Sequence, residues 1–96
     1  MIIRSQDKKR IVNFNNVEKI GVYGRFENAL DKEPNIWTVE TPTAQLGQYS
    51  SPEKAIKVLD MIQDNYAKLD CVHHGVYIHG DCVSVFQMPQ DEEVEV

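Results

Sequence analysis

Ser50-Ser51-Pro52-Glu53-Lys54-Ala55-Ile56-Lys57-Val58-Leu59-Asp60-Met61-Ile62-Gln63-Asp64-Asn65-Tyr66-Ala67-Lys68-Leu69 is the stretch that decides the fold. It opens with a helix start. Either serine is suited to cap, Pro52 fits the first turn, and Ser50 with Glu53 has capping-box spacing. Beyond that start, Ala55, Leu59, Ile62, Tyr66 and Leu69 recur every three or four residues, with Ile56 and Val58 flanking the stripe. Glu53, Lys57, Asp60 and Asp64 fall mainly on the opposite side. The spacing predicts an amphipathic helix at about 51–68 that packs on a sheet through Ala55, Leu59 and Ile62.

Upstream of the helix the apolar residues alternate, which is the period of short strands. Met1–Ser5 and Arg10–Phe14 read as strands separated by a polar turn at Gln6–Lys9. Asn15-Asn16 then reads as a two-residue hairpin turn, because asparagine tolerates the positive φ such turns need. Val17–Tyr23 would return antiparallel, pairing Phe14 with Val17 and Ile11 with Ile20. Gly24–Asn35 reads as a loop whose Phe26, Ala29 and Leu30 fold back onto the domain. Ile36–Glu40 places Trp37 and Val39 on one face, Thr41-Pro42-Thr43 turns, and Ala44–Tyr49 follows as a shorter strand.

Downstream, Gly75–His79 and Cys82–Met88 flank Gly80-Asp81, a hairpin signal. Val76, Ile78, Val83 and Val85 are expected to share its core face. Pro89 stops the last strand, and residues 91–96 read as an acidic, disordered tail. The expected fold is α+β: an antiparallel, curved or split sheet of about five to seven short strands, one long helix and a C-terminal hairpin, in a single domain over residues 1–90.

Composition narrows the function classes. Of 96 residues, 42% are apolar and 26% charged, ordinary for a globular domain. The longest wholly apolar run is three residues, far short of a membrane span. Met-Ile-Ile-Arg-Ser at the start lacks the pattern of a signal peptide, so a cytoplasmic location is expected, with Cys71 and Cys82 as reduced thiols. The net charge of −5 divides unevenly: residues 1–25 carry +4 and residues 26–96 carry −9. Arg4, Lys8, Lys9 and Arg10 gather the positive charge near one turn, a candidate interaction surface.

Leu46-Gly47-Gln48-Tyr49-Ser50-Ser51-Pro52-Glu53-Lys54-Ala55-Ile56-Lys57-Val58-Leu59, with Ile2-Ile3-Arg4-Ser5-Gln6-Asp7 and Val12-Asn13-Phe14-Asn15-Asn16-Val17, resembles small uncharacterised proteins of Gram-positive bacteria and their prophages. The resemblance spans most of the chain and implies a compact domain of mobile-element origin. It brings no activity, cofactor or site residue with it.

Cys71, His73, His74, His79 and Cys82 place five soft-metal ligands within twelve residues. Their spacing matches neither a CxxC nor an HxxxH pair. If residues 71–79 run as a straight strand, His73 and His79 stand roughly 20 Å apart, and only His79 and Cys82 meet across the turn. Those two are the weak metal candidates. Cys82 with His79 as base would also make a nucleophile pair, yet no third group orients the imidazole and no oxyanion hole is legible. The chain has no P-loop, GxGxxG or HExxH. No catalytic residue and no cofactor is assigned.

A nucleic-acid binder through the basic N-terminal region conflicts with the negative total and with aromatic residues better suited to a core. The reading carried forward is a non-enzymatic interaction or regulatory module whose partner is a protein, including a second copy of itself, with no nucleic acid and no membrane. A nucleic-acid binder and a small enzyme or metal site at residues 71–82 are the rival readings. Among the strands, Met1–Ser5 and Cys82–Met88 carry little charge to blunt them as sheet edges, which is the sequence argument for a homodimer.

Overall fold

A computed structural model describes the backbone of residues 1–75 and 85–96, and the side chains of residues 1–68 and 85–96. Among the described residues, six strands form two three-stranded sheets. In chain order they are β1 (Ile2–Arg4), β2 (Ile11–Asn13), β3 (Gly21–Arg25), β4 (Ile36–Glu40), β5 (Gln45–Tyr49), then helix α1 (Pro52–Gly75), and β6 (Val85–Gln87). The first sheet has the order β2-β1-β6 and the second β3-β4-β5. The class is α+β, with the sheet split in two. One pairing departs from the antiparallel expectation: β6 runs parallel to β1, Ile3 beside Phe86. A parallel neighbour requires a long crossover, and α1 lies within that connection.

The Asn15-Asn16 hairpin does not form. Phe14–Asn16 is a 3-10 turn in which the Asn13 side chain accepts from the Asn15 amide at 3.0 Å. β2 therefore pairs back onto β1 (Ile3 with Val12), and β3 leaves for the other sheet, so the register joining Ile11 to Ile20 is corrected. The physical reason is local. Asn13 caps its own following turn, which directs the chain away from a tight reversal.

Helix α1 begins where the stretch at 50–53 predicts, but Ser51 is the cap: its hydroxyl accepts from the Lys54 amide at 3.2 Å. Ser50 points elsewhere, so the Ser50–Glu53 capping box is not used. The helix continues past residue 68 to Gly75, the first glycine after Pro52, where helices commonly stop. Cys71, His73 and His74 thus belong to α1 and not to a strand. The expected hairpin at Gly75–His79 and Cys82–Met88 falls largely on residues 76–84, outside the described residues.

One core unites the elements. Ala55, Val58 and Ile62 of α1 are fully buried against Val39, Leu46 and Tyr49 of the second sheet, and Ile3, Phe86 and Met88 join from the first. Val58, read as flanking, takes the central place, and Leu59 is only half-buried beside it. In β6 the phase is the reverse of the expected one: Phe86 is buried and Val85 is 60% exposed. A bulge in β5 sets Val39 opposite Gly47 and Glu40 opposite Gln45, which lets Leu46 enter the core as an extra residue. The 26–35 loop does not fold back, since Leu30 is 94% exposed. Asn35 and Asp31 hold it by side-chain bonds to the Glu27 and Asn28 amides at 2.8 and 2.9 Å.

Asp91–Glu93 forms a 3-10 turn and Val94 is buried. Tyr49 donates from its hydroxyl to the Pro89 carbonyl at 2.8 Å, and burial pushes that phenol far above the usual tyrosine range. No helix among the described residues is long and apolar enough to cross a membrane.

Candidate interaction groove

Each sheet has two edges, and the chain treats them differently. The outer edge of β5 is occupied by a side chain. Gln6 donates its backbone amide to the Leu46 carbonyl at 2.7 Å, and its carboxamide both accepts from the Gln48 amide (2.9 Å) and donates to the Gln48 carbonyl (3.1 Å). A primary amide reproduces the donor and acceptor of a peptide unit, so Gln6 stands in for a neighbouring strand.

The outer edge of β2 has no such cover among the described residues. Its orientation follows from two bonds: Ser5 donates to the Arg10 carbonyl and Phe14 donates to the Met1 carbonyl, each at 2.9 Å. In an antiparallel pair alternate residues face the partner. Arg10, Val12 and Phe14 therefore face β1, and the N–H and C=O of Ile11 and Asn13 face outward. They open onto a groove of about 600 Å³, bounded on one side by Arg10–Asn13 and on the others by Asn16–Glu18 and Thr41–Ala44.

The walls of this groove are held by local bonds. The buried Thr41 hydroxyl accepts from the Ala44 amide at 3.0 Å, fixing the Thr41-Pro42-Thr43 turn in one shape. Val12 and Val17, which also line the groove, are half-buried. Ile11 lies 68% exposed on the outer face of the sheet, beside Arg4 across the ladder. The opposite charges Arg10 and Glu18 both line the groove, one before β2 and one after its 3-10 turn.

The four basic residues read from the sequence are all exposed and gather about the turn between β1 and β2. Arg4 turns back, donating through Nε and Nη2 to the Lys8 carbonyl at 3.2 Å each. Lys8 has φ 65, the left-handed conformation that closes the turn. Asp7 accepts from the Ser5 hydroxyl at 2.5 Å and the Lys9 amide at 2.9 Å, and these bonds hold its carboxyl below the usual carboxylate range. Lys8 and Lys9 stand exposed at the turn's tip, and Arg10 alone reaches the groove.

His79 and Cys82 lie outside the described residues. Among the described residues no three His, Cys, Asp or Glu side chains cluster as metal ligands. What sequence reasoning missed is the groove itself: Ile11, Asn13, Glu18 and the Thr41–Ala44 turn. The available signal was Ile11, an isoleucine out of phase with the core-facing Val12, at the start of a strand with few charges. Compared with protein-family models, curated proteins and solved structures, the chain matches none.

Proposed function

We propose that this chain is a small, non-enzymatic protein-interaction module that takes a protein partner along the edge of β2 that no described residue covers, and works in the cytoplasm. One observation carries the reading. The outward N–H and C=O groups of Ile11 and Asn13 lie along a groove lined by Asn16–Glu18 and Thr41–Ala44, while the comparable edge of β5 is covered by Gln6. Strand addition uses such an edge, with main-chain bonds for affinity and alternate side chains for selection.

Asn13 suits a test because its φ of −81 lies within reach of proline, whose ring removes the outward N–H, while Asn13→Ala controls for the cap on the Asn15 amide that both replacements remove. Affinity capture from native lysate, followed by mass spectrometry, is run on the wild type, Asn13→Pro and Asn13→Ala. A protein retained by the wild type and Asn13→Ala but lost by Asn13→Pro supports the groove as the binding surface. Identical sets of retained proteins on all three would place binding elsewhere.

A further inference from the structure

We propose that the occupant of the β2 groove is a second copy of the same chain, added as an antiparallel strand about a twofold axis through Val12. The inference rests on the groove reading above and names its partner. Two independent features of the edge are self-complementary.

The first is the backbone. Outward-facing groups sit on Ile11 and Asn13 and flank Val12, whose own groups bond β1. A twofold through Val12 brings Ile11 of one copy opposite Asn13 of the other, twice. Each such pair exchanges two bonds, so all four outward groups of both copies are satisfied. Val12 meets its symmetry mate as a non-hydrogen-bonded pair, the arrangement in which side chains approach most closely. Three strands become a continuous sheet of six, with the two β2 strands at its centre.

Charge is the second feature. Arg10, just before β2, and Glu18, beyond the 3-10 turn that follows it, line the same groove. An antiparallel copy lays its Arg10 end along this copy's Glu18 end, and the reverse at the other side of the axis. Arg10 of each copy then meets Glu18 of the other. A parallel copy would set like charges together.

Sedimentation velocity on the full chain over a range of concentrations tests the proposal. The wild type is expected to move from 11.0 kDa toward twice that mass as concentration rises. Asn13→Pro removes two of the four bonds and should weaken association about tenfold or more, while Asn13→Ala, which keeps the N–H, should associate nearly as the wild type. Arg10→Glu and Glu18→Arg should each weaken association, and the two together should restore it, because the swap recreates both pairs across the axis. Circular dichroism of each variant checks that the fold is retained.

A wild type that stays at 11.0 kDa at every concentration overturns the second copy as partner, and the lysate capture above then decides the groove reading separately. A dimer unaffected by Asn13→Pro, or a double charge swap that fails to restore what the single swaps lose, overturns this geometry.

Discussion

Asp91 holds Ser50. One carboxylate oxygen accepts from the Ser50 amide at 2.8 Å and from its hydroxyl at 3.1 Å, and Lys54 donates to the Asp91 carbonyl at 2.9 Å. Residues 41 positions apart are joined at the entry to α1, so the acidic tail pins the chain just before the Ser51 cap and sets a carboxylate near the helix N-terminus.

Those bonds, led by the Ser50 amide, hold the Asp91 carboxyl below the usual carboxylate range. A carboxylate with a depressed folded pKa contributes stability above its unfolded value, and the contribution is lost as pH falls through the folded value. Asp91→Ala is expected to cost about 1 kcal/mol or less at neutral pH, because the side chain is partly in solvent. The difference from wild type should fade once the pH drops below about 4. Urea denaturation at neutral pH and in acid measures it. An equal deficit at both would mean that packing, and not the charge, holds the tail.

Gln6 closes the β5 edge, and its replacement should both loosen and uncover it. Gln6→Ala removes the bonds to Gln48 and a further one to the Pro89 carbonyl at 3.1 Å, at an expected cost of about 1–2 kcal/mol. Hydrogen exchange should accelerate at the Gln48 amide and leave Val39 protected. Unchanged exchange at Gln48 would show that the side chain does not stand in for a strand.

Along α1 the depth of burial ranks the substitutions. Ile62 is 1% exposed, and Ile62→Ala should cost about 2–5 kcal/mol. Leu59 is half-buried beside an open apolar cleft with Phe14 and Tyr66, so Leu59→Ala should cost distinctly less. Chemical denaturation of the two variants, in parallel, reads the order. The reverse order would put the helix in a different rotation about its axis.

Gly24 is required by space. A Cβ there would stand 2.9 Å from the Pro34 Cβ and 3.0 Å from the Trp37 ring. Gly24→Ala should cost about 1–3 kcal/mol through overpacking and shift the emission of Trp37, the chain's only tryptophan. An unchanged spectrum with unchanged stability would show that Pro34 moves aside freely.

The sequence by itself determined those elements whose signals are local. Ser51 and Pro52 start α1 because capping and proline's fixed φ act within one turn, and Ala55 with Ile62 marks the buried stripe because helical spacing repeats along a single element. Ile36–Glu40 was legible for the same reason, as was the α+β class. Partner choice is a different kind of question, because strand pairing is decided by what lies across the gap. Asn15-Asn16 reads as a hairpin turn until the Asn13 carboxamide takes the Asn15 amide, and then β2 belongs to β1 and β3 to another sheet. Gln6 reads as a turn residue until it lies against Leu46 and Gln48, forty or more positions away. Asp91 reads as a solvated acid until it meets Ser50. The groove has the same origin. Whether Ile11 and Asn13 turn their backbone groups inward or outward depends on which residues of β1 they face, and Thr41–Ala44 becomes a wall only once the two sheets share a core. Local propensity is written residue by residue, but which edge is covered and which is left open is set by contacts between distant parts of the chain, and only the tertiary structure decides those.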